Sequence, residues 1–184
     1  MTSRTRVLVL QHPQESRHPL NTGRLAVLGL CHAELMVGEV FPSLEQVIAG
    51  ASPVFLLFPG EGATPPAPLP LHDLPVQADA MTSPLLIVPD GTWRKARKIV
   101  QMNPVLQGLP RLCLADSAAP SRYRVRKTTE PGAVATIEAI VRTLSVLEPG
   151  RDFEPVLAPF ERLIDQQITA MGPAIYARHH DDRA

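Results

Sequence analysis

The residues best placed to do chemistry are Asp90-Gly91-Thr92-Trp93, which follow the apolar run Leu85-Leu86-Ile87-Val88 and precede Arg94, Lys95, Arg97 and Lys98. The apolar run predicts a buried strand. The residues after it predict a helix with Arg94, Arg97 and Lys98 on one face and Lys95 beside it, while Ala96, Ile99 and Val100 turn inward. One carboxylate, Asp90, therefore stands where a strand gives way to a basic helix. In open α/β sheets that junction is where ligands bind. A carboxylate held within hydrogen-bond reach can take a proton from a weak acid such as the imide nitrogen of a base. Trp93, the single tryptophan, offers a flat face on which a base can stack. Plainer roles exist for the same residues: Asp90 as a helix N-cap, Trp93 as core, the cations as a solvated face. Against the last stands the lack of any acid on this helix.

Three further clusters have types that bear on function. Ser121-Arg122-Tyr123-Arg124-Val125-Arg126-Lys127 alternates cations with an aromatic residue on what reads as a loop, and points to a phosphate or nucleic-acid partner. Gly132 to Ala139 opens a helix with small residues, so a ligand could approach its backbone, and helix N-termini suit anions; Glu138 and Arg142, four apart, could simply pair. Gln11-His12-Pro13-Gln14-Glu15-Ser16, followed by Asn21-Thr22-Gly23-Arg24, holds two histidine–proline steps with His18. No helical or strand register aligns His12, Glu15 and His18, so a metal is not expected there. Arg17 and Arg24 extend the basic surface.

These clusters need a scaffold. Arg6–Leu10, 33–37, 54–58, 85–88 and 112–115 read as strands. Helices are expected over 23–30 with Thr22 as cap, from Ser43 through Ile48, over 92–102, over 133–147 and over most of 153–176. The stretch from Pro59 to Ser83 holds six prolines and reads as a long surface loop; the tail from Ala177 is expected to fray. Strands that are apolar on both faces and alternate with helices predict an α/β fold, a mostly parallel sheet with helices on both faces.

At 184 residues, 45% apolar and 20% charged, the chain is expected to form one domain. The formal net charge is zero, so no global field draws in nucleic acid and any basic surface is a local patch. Such a patch is expected, because nine Lys or Arg residues lie between Arg94 and Lys127 against one acid, Asp116. The acids collect toward the C-terminus. Cys31 and Cys113 read as reduced core thiols, which fits a cytoplasmic protein. No apolar run reaches the roughly 18 residues a membrane span needs. Neither a Gly-x-Gly-x-x-Gly loop nor a Walker loop is present, which speaks against ordinary dinucleotide or nucleoside-triphosphate binding.

Taken in order, the blocks Gln11-His12-Pro13-x-Glu15, Thr22-Gly23-Arg24-Leu25, Asp90-x-Thr92-Trp93, Tyr123-x-x-Arg126-Lys127 and Thr136-Ile137-Glu138-Ala139 resemble the DTW-domain family, the tRNA-uridine aminocarboxypropyltransferases. The resemblance implies a SPOUT-like fold, knotted near the C-terminal half. It also implies S-adenosylmethionine as group donor and tRNA as partner. The 3-amino-3-carboxypropyl group would pass to N3 of a uridine, releasing methylthioadenosine. It casts Asp90 as the base, with Thr92 and Trp93 beside it as catalytic residues. It lays the donor against Pro59, Gly60, Leu114, Ala115, Arg126, Ala133, Val134 and Thr136. RNA contacts are expected from Arg17, Arg24, Arg94, Lys95, Arg97, Lys98, Arg122, Arg124 and Lys127.

Many relatives begin with a cysteine cluster of metal-ligand spacing that this chain lacks, so no structural metal is expected. Two other functions remain open on the sequence: a SPOUT-type RNA methyltransferase using the same donor, and a non-catalytic RNA-binding protein.

Overall fold

The computed structural model describes residues 1–58, 69–70, 83–114, 121–125 and 134–172, with 69–70 described in backbone only. Of the expected site residues, Pro59, Gly60, Ala115, Arg126, Lys127 and Ala133 lie outside the described residues, as does the tail from Ala177.

Among the described residues six strands form one sheet: β1 (Arg6–Gln11), β2 (Ala33–Val37), β3 (Val54–Leu57), β4 (Leu69–Pro70), β5 (Leu85–Asp90) and β6 (Arg111–Cys113). Their order is β2-β1-β5-β3-β6-β4, and every pairing is parallel. Around them lie α1 (Thr22–Gly29), α2 (Leu44–Ala49), α3 (Trp93–Met102), α4 (Pro104–Gln107), α5 (Thr136–Leu147) and α6 (Ala158–Met171). The α/β fold expected from the apolar runs is therefore present. The short strand β4 and helix α4 were not expected: two residues carry no period, and β4 lies in the proline-rich stretch that read as loop throughout.

The sheet is buried on both faces because its central strands carry consecutive apolar residues, Val7–Leu10, Val54–Leu57 and Leu85–Val88. Successive side chains of a strand point to opposite faces, and the chain divides accordingly. Val7, Val9, Leu86, Val88 and Leu57 pack with α1, α5, α6 and a 3-10 turn, Glu154–Leu157. Leu8, Leu10, Leu85, Ile87 and Leu56 pack with α2, α3 and α4 on the other side. Helix α3 turns in Ala96, Ile99 and Val100, the three residues its spacing selects. Helix α5 starts at Thr136, later than expected, since Ala135 is extended. On α6, Phe160 and Ile164 are fully buried; each burial contributes roughly 1.5–3 kcal/mol. Pro159 sits in the first turn of α6, where its missing N–H costs nothing. Cys31 is exposed rather than in the core, and Cys113 is half-buried, where burial pushes its thiol pKa up. Cys31 follows the end of α1 on a turn, so its apolar neighbours do not carry it inward. No described helix is long and apolar enough to cross a membrane.

Asn103, at the end of α3, ties this scaffold to the loop after β2. Its buried amide donates to the carbonyls of Glu39 (2.8 Å) and Ile99 (2.7 Å) and accepts from the Phe41 N–H (2.9 Å). Asn103→Ala is expected to lower stability by about 2–3 kcal/mol, because the Phe41 N–H is left without its partner. The midpoint of denaturant unfolding reads this; an unchanged midpoint would contradict the role given to the amide.

Candidate active site

Strands β1 and β5 are neighbours, with Gln11 and Asp90 as register partners at their C-terminal ends. The chain leaves β1 into α1 on one face of the sheet. It leaves β5 into α3 on the other. The loops therefore diverge and open a crevice, as at the ligand-binding switch points of α/β sheets. A cleft of about 350 Å³ lies there, lined by Glu15, His18, Leu20, Asn21, Thr22, Asp90, Gly91, Thr92, Lys95, Tyr123 and Thr136. Its volume is in the range that accepts small ligands.

Asp90 lies at the base of the cleft, only 7% exposed. Gln11 Nε2 donates to Asp90 Oδ2 at 2.7 Å, and the Thr136 hydroxyl donates to Oδ1. Thr136 begins α5 and Gly23 lies in the first turn of α1, so the carboxylate faces the starts of two helices, whose partial positive charge favours an anion. The approach of α1 is close. A Cβ at Gly23 would stand 2.7 Å from Asp90 Oδ2, 3.0 Å from its Cγ and 3.2 Å from Val9 Cγ1. A side chain at this position would force the carboxylate or the helix to shift, so glycine is what lets strand and helix meet this closely.

An amide pair supports this arrangement. Gln11 Nε2 also donates to Asn21 Oδ1 (2.7 Å), and Asn21 Nδ2 donates back to Gln11 Oε1 (3.0 Å). The same Asn21 oxygen accepts the Arg24 N–H at 2.9 Å, which makes Asn21 the N-cap of α1 in place of the expected Thr22. The N-cap reading of Asp90 also fails. Asp90 closes β5 as a sheet residue, its carbonyl accepts the His12 N–H (3.0 Å), and Thr92 occupies the cap position of α3.

Two of the α3 cations have carboxylate partners, supplied by loops rather than by α3 itself. Lys95 Nζ meets Glu15 Oε1 at 2.7 Å, and Lys98 Nζ meets Glu39 Oε2 at 2.7 Å. Glu39 Oε1 also lies 2.8 Å from His12 Nε2. Lys98 first, and then His12, hold the Glu39 carboxyl below its usual pKa. A second hollow of about 390 Å³ runs along α3, bordered by His12, Gln14, Glu39, Arg94, Lys95, Arg97, Lys98 and Gln101.

The basic loop at 121–125 also pairs within the chain. Arg122 reaches Glu154 and Glu161, each at 2.6 Å, and Arg124 reaches Asp165. The C-terminal acids are thus the partners of this loop. Glu161 first, and then Glu154, raise the Arg122 pKa. Buried Glu138 accepts the Ser121 hydroxyl (2.7 Å) and the N–H groups of Arg122 (2.6 Å) and Ala135 (2.8 Å). Its carboxylate therefore turns to the start of α5 and the loop, not along the helix to Arg142. So anchored, Tyr123 packs edge-on to Phe160, ring centroids 5.4 Å apart, and borders the cleft.

The DTW domain matches residues 1–168. The chain belongs to the DTW-domain family. It is 28% identical over 172 residues to tRNA-uridine aminocarboxypropyltransferase 2 of Drosophila melanogaster, covering 89% of this chain and 65% of that protein. It is 30% identical over 196 residues to tRNA-uridine aminocarboxypropyltransferase A of Arabidopsis thaliana, covering 92% and 74%. Against tRNA-uridine aminocarboxypropyltransferase 2 of Macaca fascicularis, identity is 27% over 172 residues, covering 89% and 55%. The chain thus spans between about half and three quarters of the length of these relatives. No solved structure matches.

In this DTW domain Asp90, Thr92 and Thr136 share the cleft, and Trp93 follows Thr92 but is not among its lining residues. Trp93 is 43% exposed and its ring lies 6.1 Å from that of Phe58, so it is not a core residue. Leu114 and Val134 are half-buried, and Leu114 packs against the α1 side of the sheet. Arg17, Arg24, Arg94, Arg97 and Lys98 are exposed. Among the described residues no group of three His, Cys, Asp or Glu could hold a metal ion. Sequence reasoning assigned no site role to Asn21, Gln11 or Glu15. The cap preference of asparagine ahead of Thr22-Gly23 was the available signal for Asn21. Nothing local marks Gln11 as a partner of Asp90. Gly23→Ala is expected to displace the Asp90 carboxylate and lower the melting temperature by several degrees, since overpacking costs about 1–3 kcal/mol. A calorimetric scan reads the shift, and wild-type melting would show that the approach is looser than the contacts imply.

Proposed function

We propose that this DTW-domain protein is a tRNA-uridine aminocarboxypropyltransferase that moves the 3-amino-3-carboxypropyl group of S-adenosylmethionine to N3 of a tRNA uridine. The observation that carries the proposal is Asp90. It is a nearly buried carboxylate, oriented by Gln11 and Thr136, at the base of a small-ligand cleft on the sheet's switch point. Its role is to take the N3 proton as that nitrogen becomes nucleophilic, since N3 of uridine is a weak acid. Thr92 borders the cleft beside it, and Trp93 offers its exposed face for stacking. Membership of a family whose relatives carry this activity in their names supports the same reading.

The residues present fit the donor. Leu20 and Tyr123 give the cleft an apolar wall next to two carboxylates, Asp90 and Glu15, which suits a ligand that joins methylenes to a permanent positive charge. The loops after β3 and β6 and the start of α5 would hold its adenosyl part, with Pro59, Gly60, Leu114, Ala115, Arg126, Ala133, Val134 and Thr136 as the contacts. Bound there, the sulfonium supplies an activated methionine Cγ and departs with methylthioadenosine. The chain's own contribution is orientation and deprotonation. A SPOUT-like fold with a C-terminal knot belongs to the same proposal.

Along α3, Arg94, Arg97 and Lys98 would lie against tRNA phosphates, with Arg17 and Arg24 across the cleft. Contacts of this kind position an RNA without reading it. Arg122 and Arg124, tied to Glu154, Glu161 and Asp165, would serve mainly to anchor Tyr123, and Lys127 to extend the basic surface.

The test uses S-adenosylmethionine with different labels in its methyl and carboxypropyl carbons, incubated with unmodified tRNA. Carboxypropyl label in RNA with release of methylthioadenosine is expected. Methyl label would make the protein a methyltransferase, and no label would favour RNA binding alone. Asp90→Asn should cut kcat by roughly 10²–10⁴-fold while tRNA and donor affinities stay within a few-fold. A variant that turns over at the wild-type rate would end the base assignment. Arg94→Ala should weaken tRNA binding uniformly across tRNAs and reduce the slope of log K against log salt by about one. An unchanged slope would remove Arg94 from the RNA surface.

A further inference from the structure

The cleft that holds Asp90 carries one charged pair whose capacity is only partly used. Lys95, from the first turn of α3, and Glu15, from the turn after β1, meet at 2.7 Å with side chains 18% and 20% exposed. Lys95 spends one of its three N–H donors on this contact. Glu15 Oε2 has no hydrogen-bond partner among the described residues. Both are fixed from behind. The Glu15 N–H donates to the His12 carbonyl (2.9 Å), and its own carbonyl accepts from the His18 N–H (2.9 Å) and from Asn21 Nδ2 (3.2 Å). Gly91 lies against both side chains; a Cβ there would stand 3.0 Å from Lys95 Cβ and 3.6 Å from Glu15 Cγ. The pair therefore sits one residue from Asp90. Of the four cations at the start of α3, Lys95 alone borders this cleft.

A fixed cation and anion with unused donors and acceptors are complementary to a ligand that carries both charges on adjacent groups, as the head of an α-amino acid does. We propose that Lys95 binds the α-carboxylate, and Glu15 the α-ammonium, of the donor's aminocarboxypropyl group. The proposal rests on the transfer reaction proposed above and assigns the choice of carbon within it. In that group the Cα that carries both charged groups is two bonds from the reacting Cγ, so the head must lie within a few ångströms of the acceptor nitrogen at Asp90. Holding the head there turns Cγ, rather than the methyl, toward the acceptor. It also moves Lys95 from the RNA surface to the donor site.

Titration calorimetry with three probes tests this: S-adenosylmethionine, its decarboxylated analogue and methylthioadenosine. The proteins are wild type, Lys95→Met, Lys95→Arg and Glu15→Gln, each first shown to melt cooperatively. Wild type should bind the decarboxylated analogue about 10–100-fold more weakly than S-adenosylmethionine, the usual range for a lost charged hydrogen bond. Lys95→Met should bind the two alike and keep wild-type affinity for methylthioadenosine. Lys95→Arg should keep most of the discrimination, and Glu15→Gln should weaken both aminated donors. Equal wild-type affinity for S-adenosylmethionine and its decarboxylated analogue would overturn the proposal without any variant. So would an undiminished ratio in folded Lys95→Met. Loss of tRNA affinity and of one unit of salt slope, with the donor ratio intact, would overturn it by making Lys95 a phosphate contact. The double-label experiment separates the two readings. Carboxypropyl transfer with an undiminished Lys95→Met ratio fails this inference alone. Methyl transfer by a wild type that still discriminates fails the reaction and leaves the head-group contact standing.

Discussion

A carboxylate nearly closed off from water must be met by donors, or its desolvation destabilises the fold. Asp90 is met from three directions: the Gln11 amide beside it in the sheet, the Thr136 hydroxyl at the start of α5, and the first turn of α1 brought close by Gly23. These come from positions 11, 23, 90 and 136, so the contact assembles only when β1, β5, α1 and α5 are docked together. The same residues form the walls of the cleft. Folding energy and site geometry are therefore coupled here: what satisfies Asp90 also shapes the space around it.

The supporting shell follows one pattern. Charged groups near the cleft are paired across elements rather than within them. Lys95 turns to Glu15, Lys98 to Glu39, and Arg122 to Glu154 and Glu161. Exposed pairs contribute little stability, typically under about 1 kcal/mol each. Their value lies in position. Glu138, with its three donors, fixes the loop that carries Tyr123, and the Arg122 pairs hold that loop to α6. Among the described residues the basic segments do not form one uninterrupted surface. Those on α3 border an open hollow, and those at 121–125 face acids of the same chain.

Much of the scaffold was legible in the order of residues. The runs around Val9, Leu56 and Ile87 are apolar at consecutive positions, which only a sheet covered on both faces requires. The inward stripe of α3 could be read from Ala96, Ile99 and Val100, and the junction where the cleft opens from Asp90 at the end of its strand. Family membership was legible too, since it rests on short blocks in a fixed order. Less legible were elements without a period, such as β4 and α4, and the true caps of α1 and α3.

Local pattern and composition thus determined the longer strands, the layers and the carboxylate at the base of the cleft, because burial and periodicity are properties of neighbouring positions. Only the tertiary structure decided which residues serve that centre and which charges are spent. Gln11 reaches Asp90 because parallel register sets them opposite each other. Gly23 matters because a helix from another part of the chain presses against the carboxylate. Arg122 and Arg124 lose their apparent freedom because α6 and the 3-10 turn before it bring three acids beneath them. Electrostatic and hydrogen-bond partners depend on distance in space, and for these residues the partners named lie from 32 to 79 positions away along the chain.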